Sequence, residues 1–328
     1  SWNPLCIPDT ELSLTVDILQ NGAKITTISG TQIEITPDTT PNKLAFEINK
    51  AGGTALLDAT SISKSAIEWY SGLRRAVKER TGLDMFEQSI PISPRIEQTI
   101  GGLPVDEHGR VVKGNWNTWF TGLYSAGGAS CSGLNGTGII AGNRLMEDLV
   151  GGSCAGMHAG KWIKNKNFSG TESLNEALFS ANAKISDLIS NANTNNTSSI
   201  SNIKSKLWNS ITTNMGFERS SEGLQNAAKV LENLEVEIHK EELVDGNMIM
   251  NTNLMEILEL RGLISVARAS IIAAQSRSES RGSHQRIDFQ ETVNETMLKH
   301  TLVDSAMQIN WLPLRKSGSG SWILTPTN

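Results

Sequence analysis

Between Gly122 and Gly156 the chain reads GLYSAGGASCSGLNGTGIIAGNRLMEDLVGGSCAG: an apolar strand pattern, a glycine-rich loop, then the spacing of an amphipathic helix. Gly127, Gly128, Gly133, Gly136, Gly138 and Gly142 lack a Cβ and tolerate positive φ, so backbone N–H groups here can lie close to a flat ligand. The helix is expected to begin at about Asn143, whose side chain suits a cap, with its positive dipole end facing the loop. A helix N-terminus behind a glycine-rich turn is an anion site. In a redox protein the matching anion is the N1–C2=O edge of a reduced flavin. On these residues alone, a strand-to-helix turn without a ligand is the alternative.

Elements that must position such a loop are legible on both sides. Alternating Leu12, Leu14, Val16 and Ile18 predict short strands in the first fifty residues. Ile67, Tyr70, Leu73 and Val77 share one helical face, predicting a helix over 59–82 closed by Gly82. Gly101–Gly102 and 106–110 mark turns leading into the strand before Gly127. The polar stretch SNANTNNTSSISN (190–202) predicts a flexible connection. Beyond it, a helix over 204–215 and two longer ones predict a small bundle. One carries Leu224, Ala228, Leu231, Leu234 and Ile238 behind Ser220 or Ser221; the other carries Leu254, Ile257, Leu258, Ile264 and Ile271. Trp311 and Trp322 fall in β-like tail segments.

Composition narrows the classes. A chain of 328 residues is long enough for two domains and a sizeable core. Net charge is −5 and basic residues do not cluster, so nothing points to nucleic acid. Cys6, Cys131 and Cys154 are scattered, without a CxxC, which fits a reducing, cytoplasmic compartment and argues against zinc or disulfides. His108, His158 and His239 have no metal-ligand spacing. No apolar run reaches the roughly 20 residues of a membrane span. No GxGxxG lies between a strand and a helix.

Read without gaps, 122–156 resembles the flavin-binding loop of the fumarate reductase and succinate dehydrogenase flavoprotein subunits. Residues 251–302 are similar to that family's C-terminal helix and its ESRG-H-R element (Glu279, Ser280, Arg281, Gly282, His284, Arg286), with LKHT around His300. Residues 52–106, ending in PISPRIEQTIGGLPVD, resemble the end of its mobile capping domain. The resemblance implies an FAD-dependent oxidoreductase that moves a hydride between flavin N5 and a small substrate held under the cap. It implies an iron–sulfur partner subunit and a membrane anchor, so that the chain would be peripheral on the membrane through its partners. The implied fold class is an α/β flavin-domain remnant with an α+β capping-domain remnant and a C-terminal three-helix domain. The expected divisions are 1–93 (cap), 94–189 (FAD-binding), 190–202 (linker), 203–300 (helical) and 301–328 (tail). Family members hold the FAD pyrophosphate with a GxGxxG, so its absence suggests the C-terminal half of a longer flavoprotein.

The implied flavin contacts are Gly127, Gly128, Asn143, Arg144 and Leu145. The last three occupy the family's N-S-L segment against the isoalloxazine, with Arg144 in place of serine; Gly128 replaces the glutamate that holds the ribityl chain. A cation at 144 would stabilise an anionic reduced flavin. The substrate positions depart further. HYTMGG reads Glu97-Gln98-Thr99-Ile100-Gly101-Gly102, so glutamate replaces the histidine. HGANR reads Asn135-Gly136-Thr137-Gly138-Ile139, which removes a histidine and an arginine. The proton-donor R-D pair aligns with Pro37 and Asp38. Each lost charge-assisted bond to a carboxylate costs about 1.5–3 kcal/mol, and an ionised Glu97 repels a dicarboxylate. The expectation is therefore a substrate other than succinate or fumarate, with Glu97, Thr99, Asn135 and Ile139 as candidate substrate positions. Glu97 and Thr99 suit a cationic or hydroxylated substrate, with Glu97 as general base; a solvated surface carboxylate is the alternative for Glu97. An oxidase of the L-aspartate oxidase kind and a non-catalytic paralogue serving assembly are the alternatives. The ESRG-H-R element reads as structural.

Overall fold

The computed structural model describes residues 1–36, 39–136, 138–139, 143–164, 166–167, 170–193 and 199–314. Pro37, Asp38, Thr137, Gly142, Trp322 and part of the 190–202 stretch lie outside them. The chain divides into two compact units: residues 1–112, 119–155 and 281–283, and residues 113–118, 156–280 and 284 onward.

The first unit is built on an antiparallel sheet in the order β1-β5-β4-β2-β3. Its strands are β1 (Trp2–Cys6), β2 (Lys24–Thr27), β3 (Gln32–Ile33), β4 (Ala55–Asp58) and β5 (Ile90–Ile96). Ile25, Leu57, Ile90 and Ile92 are buried in one core with Leu44 and Ile48 of α1 (Pro41–Lys50). Thr40 starts α1 by accepting a hydrogen bond from Lys43 N, and Pro41 occupies the first turn, where its missing N–H costs nothing.

The single helix expected over 59–82 is two: α2 (Lys64–Trp69) and α3 (Ser71–Thr81), with Tyr70 between them at φ −89°, ψ 19°. The Tyr70 hydroxyl donates to Asp17 Oδ2 and accepts from Asn21 Nδ2, a tertiary anchor invisible to helical periodicity. Gly82 closes α3 in the left-handed conformation at φ 74°.

Short strands follow: β6 (Leu103–Pro104), β7 (Arg110–Lys113), β8 (Asn115–Tyr124) and β9 (Ser130–Cys131). Helix α4 spans Asn143–Ile163. Asn143 is thus the first helical residue and not its cap.

The second unit is helical: α5 (Thr171–Ser190), α6 (Ile200–Asn214), α7 (Ser221–Lys240) and α8 (Thr252–Ser276), with the hairpin β10 (Lys299–Val303) and β11 (Ile309–Pro313). Sequence patterning left α5 unassigned. Leu224, Leu231, Leu234 and Ile238 of α7 pack in one core with Ile257, Leu260, Ile264 and Ile271 of α8. Leu258, expected inside, is exposed and Leu260 takes its place. Ser220 caps α7 through Gly223 N, and Asn251 caps α8 through Leu254 N. The described ends of the polar 190–202 stretch are anchored: Asn193 N donates to Leu243 O, Ser199 Oγ to Glu241, and Ile200 is buried. Residues that cannot pack an apolar core are fixed here by hydrogen bonds. Among the described residues no helix is long and apolar enough to cross a membrane.

Candidate active site

The glycine-rich loop is held at three places. β6 pairs in parallel with β9, Leu103 opposite Ser130 and Pro104 opposite Cys131. Just before β6, Gly102 lies so close to the loop that a Cβ would stand 2.5 Å from Ala129 O, and its φ of +145° suits glycine alone. Gly127 adopts φ +63°, and its carbonyl accepts a hydrogen bond from Ser130 Oγ at 2.9 Å. Helix α4 supports the turn from behind: a Cβ on Gly151 would sit 3.6 Å from the Ala126 Cβ, and one on Gly127 would meet the Asp148 carboxylate. The 106–110 turn also reaches α4, with Gly109 against Ala155 and Ser125 N bonded to Gly109 O. Asp106 holds that turn, accepting from His108 N, Arg110 N and the Arg110 guanidinium. Burial opposes its ionisation, but those bonds outweigh it and keep its carboxyl below the usual range.

Two of the candidate substrate positions, Glu97 and Ile139, meet at Ser1. Ser1 O accepts from Glu97 N and Gln98 N, its backbone N donates to Gln98 O, and its Oγ accepts from Ile139 N at 3.3 Å. Glu97 and Ile139, 42 positions apart in sequence, are therefore tied through one residue. The Glu97 carboxylate is exposed and accepts from Asn3 Nδ2 at 3.1 Å. Asn3 also donates to Leu14 O and takes Leu5 N on its Oδ1. Asn42 is the neighbouring buried amide: it accepts from Trp2 N and stands 2.6 Å from where a Gly138 Cβ would be. Thr99 is exposed nearby in sequence, and no hydrogen bond from its side chain is made to Glu97.

Asn135 turns toward the helix instead. Its Nδ2 donates to Glu147 Oε2 at 2.7 Å while Ser132 Oγ donates to Glu147 Oε1 at 2.9 Å. Its Oδ1 is buried without a partner. Asn135 is thus tied to α4, and Ile139 to Ser1. Ser1, Asn3 and Glu147 went unnoticed in sequence; only the acidic pair Glu147–Asp148 one turn into a predicted helix hinted at a loop-facing carboxylate. The Cys131 thiol beneath the loop is pushed upward in pKa by burial, so it stays protonated.

The residues suit the flat end of a flavin better than its phosphates. Among the described residues, none comes within 4 Å of where a Gly128 Cβ would stand. Arg144 and Leu145 are exposed in the first turn of α4. No strand–GxGxxG–helix unit occurs in the sequence to take a pyrophosphate.

Within the second unit, Glu279, His284 and Arg286 of the ESRG-H-R element form a structural network. Glu279, fully buried, pairs with Arg277 and accepts from Val293 N. Arg286 pairs with Asp288, which also takes Ser221 N and Oγ at the start of α7. His284 accepts from Arg219 on Nδ1 and donates from Nε2 to Arg277 O. Burial, then the Arg219 charge, push its pKa down to about 4 and keep it neutral. His300 is likewise lowered by burial and lies edge-on to Trp116 at 6.0 Å. Among the described residues no cluster of His, Cys, Asp and Glu could hold a metal ion.

Residues 23–145 match the family described as FAD binding domain, and residues 204–319 match the one described as Fumarate reductase flavoprotein C-term. The succinate dehydrogenase flavoprotein subunit of Rickettsia bellii (strain RML369-C) is 27% identical over 245 residues, 73% of this chain and 40% of that protein. The mitochondrial succinate dehydrogenase flavoprotein subunit of Oryza sativa subsp. japonica is 30% identical over 224 residues, 67% of this chain and 35% of the rice protein. Among solved structures, the FrdA chain of E. coli quinol fumarate reductase superposes with a TM-score of 0.82 at 20% identity, covering all of this chain and 60% of FrdA. Adenylylsulfate reductase of Archaeoglobus fulgidus shares the fold at a TM-score of 0.60 and 14% identity. The chain therefore spans about 40% of the length of its curated relatives, and its cofactor class is FAD. Both matched regions, in order along one chain, place this protein with the flavoprotein subunits of the fumarate reductase and succinate dehydrogenase family.

Proposed function

We propose that the chain forms the substrate-side part of an FAD-dependent oxidoreductase whose substrate is not succinate or fumarate. FAD, when bound, supplies a two-electron acceptor for hydride from a substrate carbon. In this reading the backbone at Gly127 and Gly128 and the start of α4 at Asn143, Arg144 and Leu145 face the isoalloxazine, with helix-end amides favouring its electronegative edge. Glu97 takes a proton from a hydroxyl or ammonium group of the substrate, Thr99 orients that group, and Asn3 holds the Glu97 carboxylate in place. An iron–sulfur partner subunit then receives the electrons.

The carrying observation is the junction at Ser1, which ties Glu97 to Ile139 where a dicarboxylate needs cations. A dicarboxylate held between a glutamate and an isoleucine finds no cation at either position. The test is reduction of an artificial dye by the flavin-loaded protein, offered succinate, a hydroxy acid and a primary amine in parallel. Turnover is expected with a hydroxyl- or amine-bearing substrate and is expected to fall at least tenfold in Glu97→Gln. Succinate oxidation unaffected by Glu97→Gln would overturn the reading.

A further inference from the structure

The segment between β9 and α4 holds a buried acceptor that the chain leaves unsatisfied. Asn135 Oδ1 is buried and has no hydrogen-bond partner among the described residues. Buried polar atoms in folded proteins are nearly always paired, so an orphan calls for a physical reason. The reason here lies in Glu147. Leu134 N donates to Ser132 Oγ, and that hydroxyl donates to Glu147 Oε1 at 2.9 Å. The second carboxylate oxygen takes Asn135 Nδ2 at 2.7 Å. A carboxylate only accepts, so its partner must be the NH2 end of the amide. Swapping the two ends would set acceptor against acceptor, which fixes the amide as it stands. Its carbonyl end is thereby turned away from the Glu147 carboxylate, while Gly138 N bonded to Asn135 O holds the backbone beside it.

We propose that Glu147 is a positioning residue that presents Asn135 Oδ1 to an N–H donor of a bound small molecule. Two molecules carry that chemistry: the flavin, through the imide N–H of its ring, and an amine substrate, through its ammonium group. Asn135 suits either, since it lies in the glycine-rich loop and is one of the candidate substrate positions. A carboxylate has no donor to offer, so an acceptor fixed at this place selects against it. Glu147 lies one turn after Asn143, the first residue of α4, so the helix that follows the loop also sets the polarity of the loop's own amide. The amine source rests on the proposed function above; the flavin source rests on the cofactor class alone.

The experiment pairs each ligand with an analogue that lacks the donor: FAD with N3-methyl-FAD, and butylamine with butyltrimethylammonium, which keeps the charge. Dissociation constants are measured by equilibrium dialysis. In at least one pair the analogue is expected to bind the unsubstituted protein about tenfold more weakly, the worth of one hydrogen bond. That gap should close in Asn135→Leu, which has no acceptor, and in Glu147→Ala, which frees the amide to turn. Glu147→Gln should restore it, because its amide oxygen can take Asn135 Nδ2. Ser132→Ala loosens the same turn but keeps the bond between Glu147 and Asn135, so it should keep the gap; a merely structural role would close it. Should Asn135→Leu fail to fold, the contrast between Glu147→Ala and Glu147→Gln decides. A gap in the FAD pair alone makes the flavin imide the donor, and one in the amine pair alone makes it the substrate ammonium. No binding of butylamine defeats the amine reading and leaves the flavin pair to decide this one. No gap in either pair, or a gap that survives Asn135→Leu, overturns the inference and leaves the orphan to an ordered water.

Discussion

From Leu5 to Ile92, strands and helices contribute to one continuous core in which Leu57, Ile25 and Ile92 are fully buried. Between 103 and 163, buried apolar side chains among the described residues are few, namely Val105, Val111, Val112, Ile139 and Ala155, and they join neither large cluster. The first region turns its apolar residues inward by strand alternation and helix periodicity. The second has the same kinds of residue and turns many of them out. The difference follows from glycine. A glycine-rich loop has few side chains with which to pack, so the loop and the elements around it must be held by other means. Those means are hydrogen bonds: Asp106 to its turn, Ser130 to Gly127, and Glu147 to Ser132 and Asn135. A glycine-rich loop is a poor core builder.

Two leucine truncations give the largest contrast. Leu57→Ala in β4 should cost about 2–5 kcal/mol, the range for cavities in packed cores. Leu149→Ala, at an exposed site, should stay within about 0.5 kcal/mol in the isolated chain. Urea unfolding of the two variants checks this, and equal losses would break the contrast between the regions.

Acid separates the helical unit from both. His284 has a folded pKa of about 4, below its ordinary 6.5, so the unfolded chain binds its proton first as pH falls. Its contribution is complete above about pH 6.5 and is lost progressively toward pH 4, at up to about 1.4 kcal/mol per unit and on the order of 3 kcal/mol in all. Stability measured against pH should lose that slope in His284→Gln, which keeps a neutral side chain with a donor and an acceptor. Asp106, whose folded pKa is lowered below 3.8, stabilises its turn above that value, and the contribution is lost only at lower pH. Melting of the 106–110 turn near pH 5 would mean that its bonds are not those described.

Gly102→Ala tests the loop directly. The added Cβ would stand 2.5 Å from a backbone oxygen, at a φ that L-residues avoid, so a cost of about 1–3 kcal/mol is expected. Limited proteolysis should cut first near 129–131, while the 1–92 region stays resistant. The smallest effect is Glu147→Gln, whose amide oxygen can accept from Asn135 Nδ2 while its NH2 donates to the Ser132 hydroxyl. A loss of less than about 1 kcal/mol in thermal melts fits that exchange of a charged for a neutral acceptor.

Much of this was legible in the residues. The periodicities of 224–238 and 254–271, the cap at Ser220 and the left-handed Gly82 are local consequences of side-chain spacing and backbone freedom. The helix after the glycine loop was also readable, though its first residue proved to be Asn143 itself. Less legible was the break at Tyr70, because its cause is a hydroxyl bonded to Asp17 and Asn21 some fifty residues away. The candidate site shows the same limit. Sequence named Glu97 and Ile139 through resemblance, yet their link depends on Ser1, which precedes β1 and reaches Glu97 because β1 pairs with β5.

Sequence alone determined the glycine pattern and the helical faces, because each is a matter of residue type and local spacing. Tertiary structure alone decided which side of α4 faces inward. A helical stripe shows that one face is apolar; whether that face meets the chain's own core or another body depends on the close fit of Gly151 and Ala155 against Ala126, Gly127 and Gly109. That fit is steric and long-range, and no periodicity encodes it.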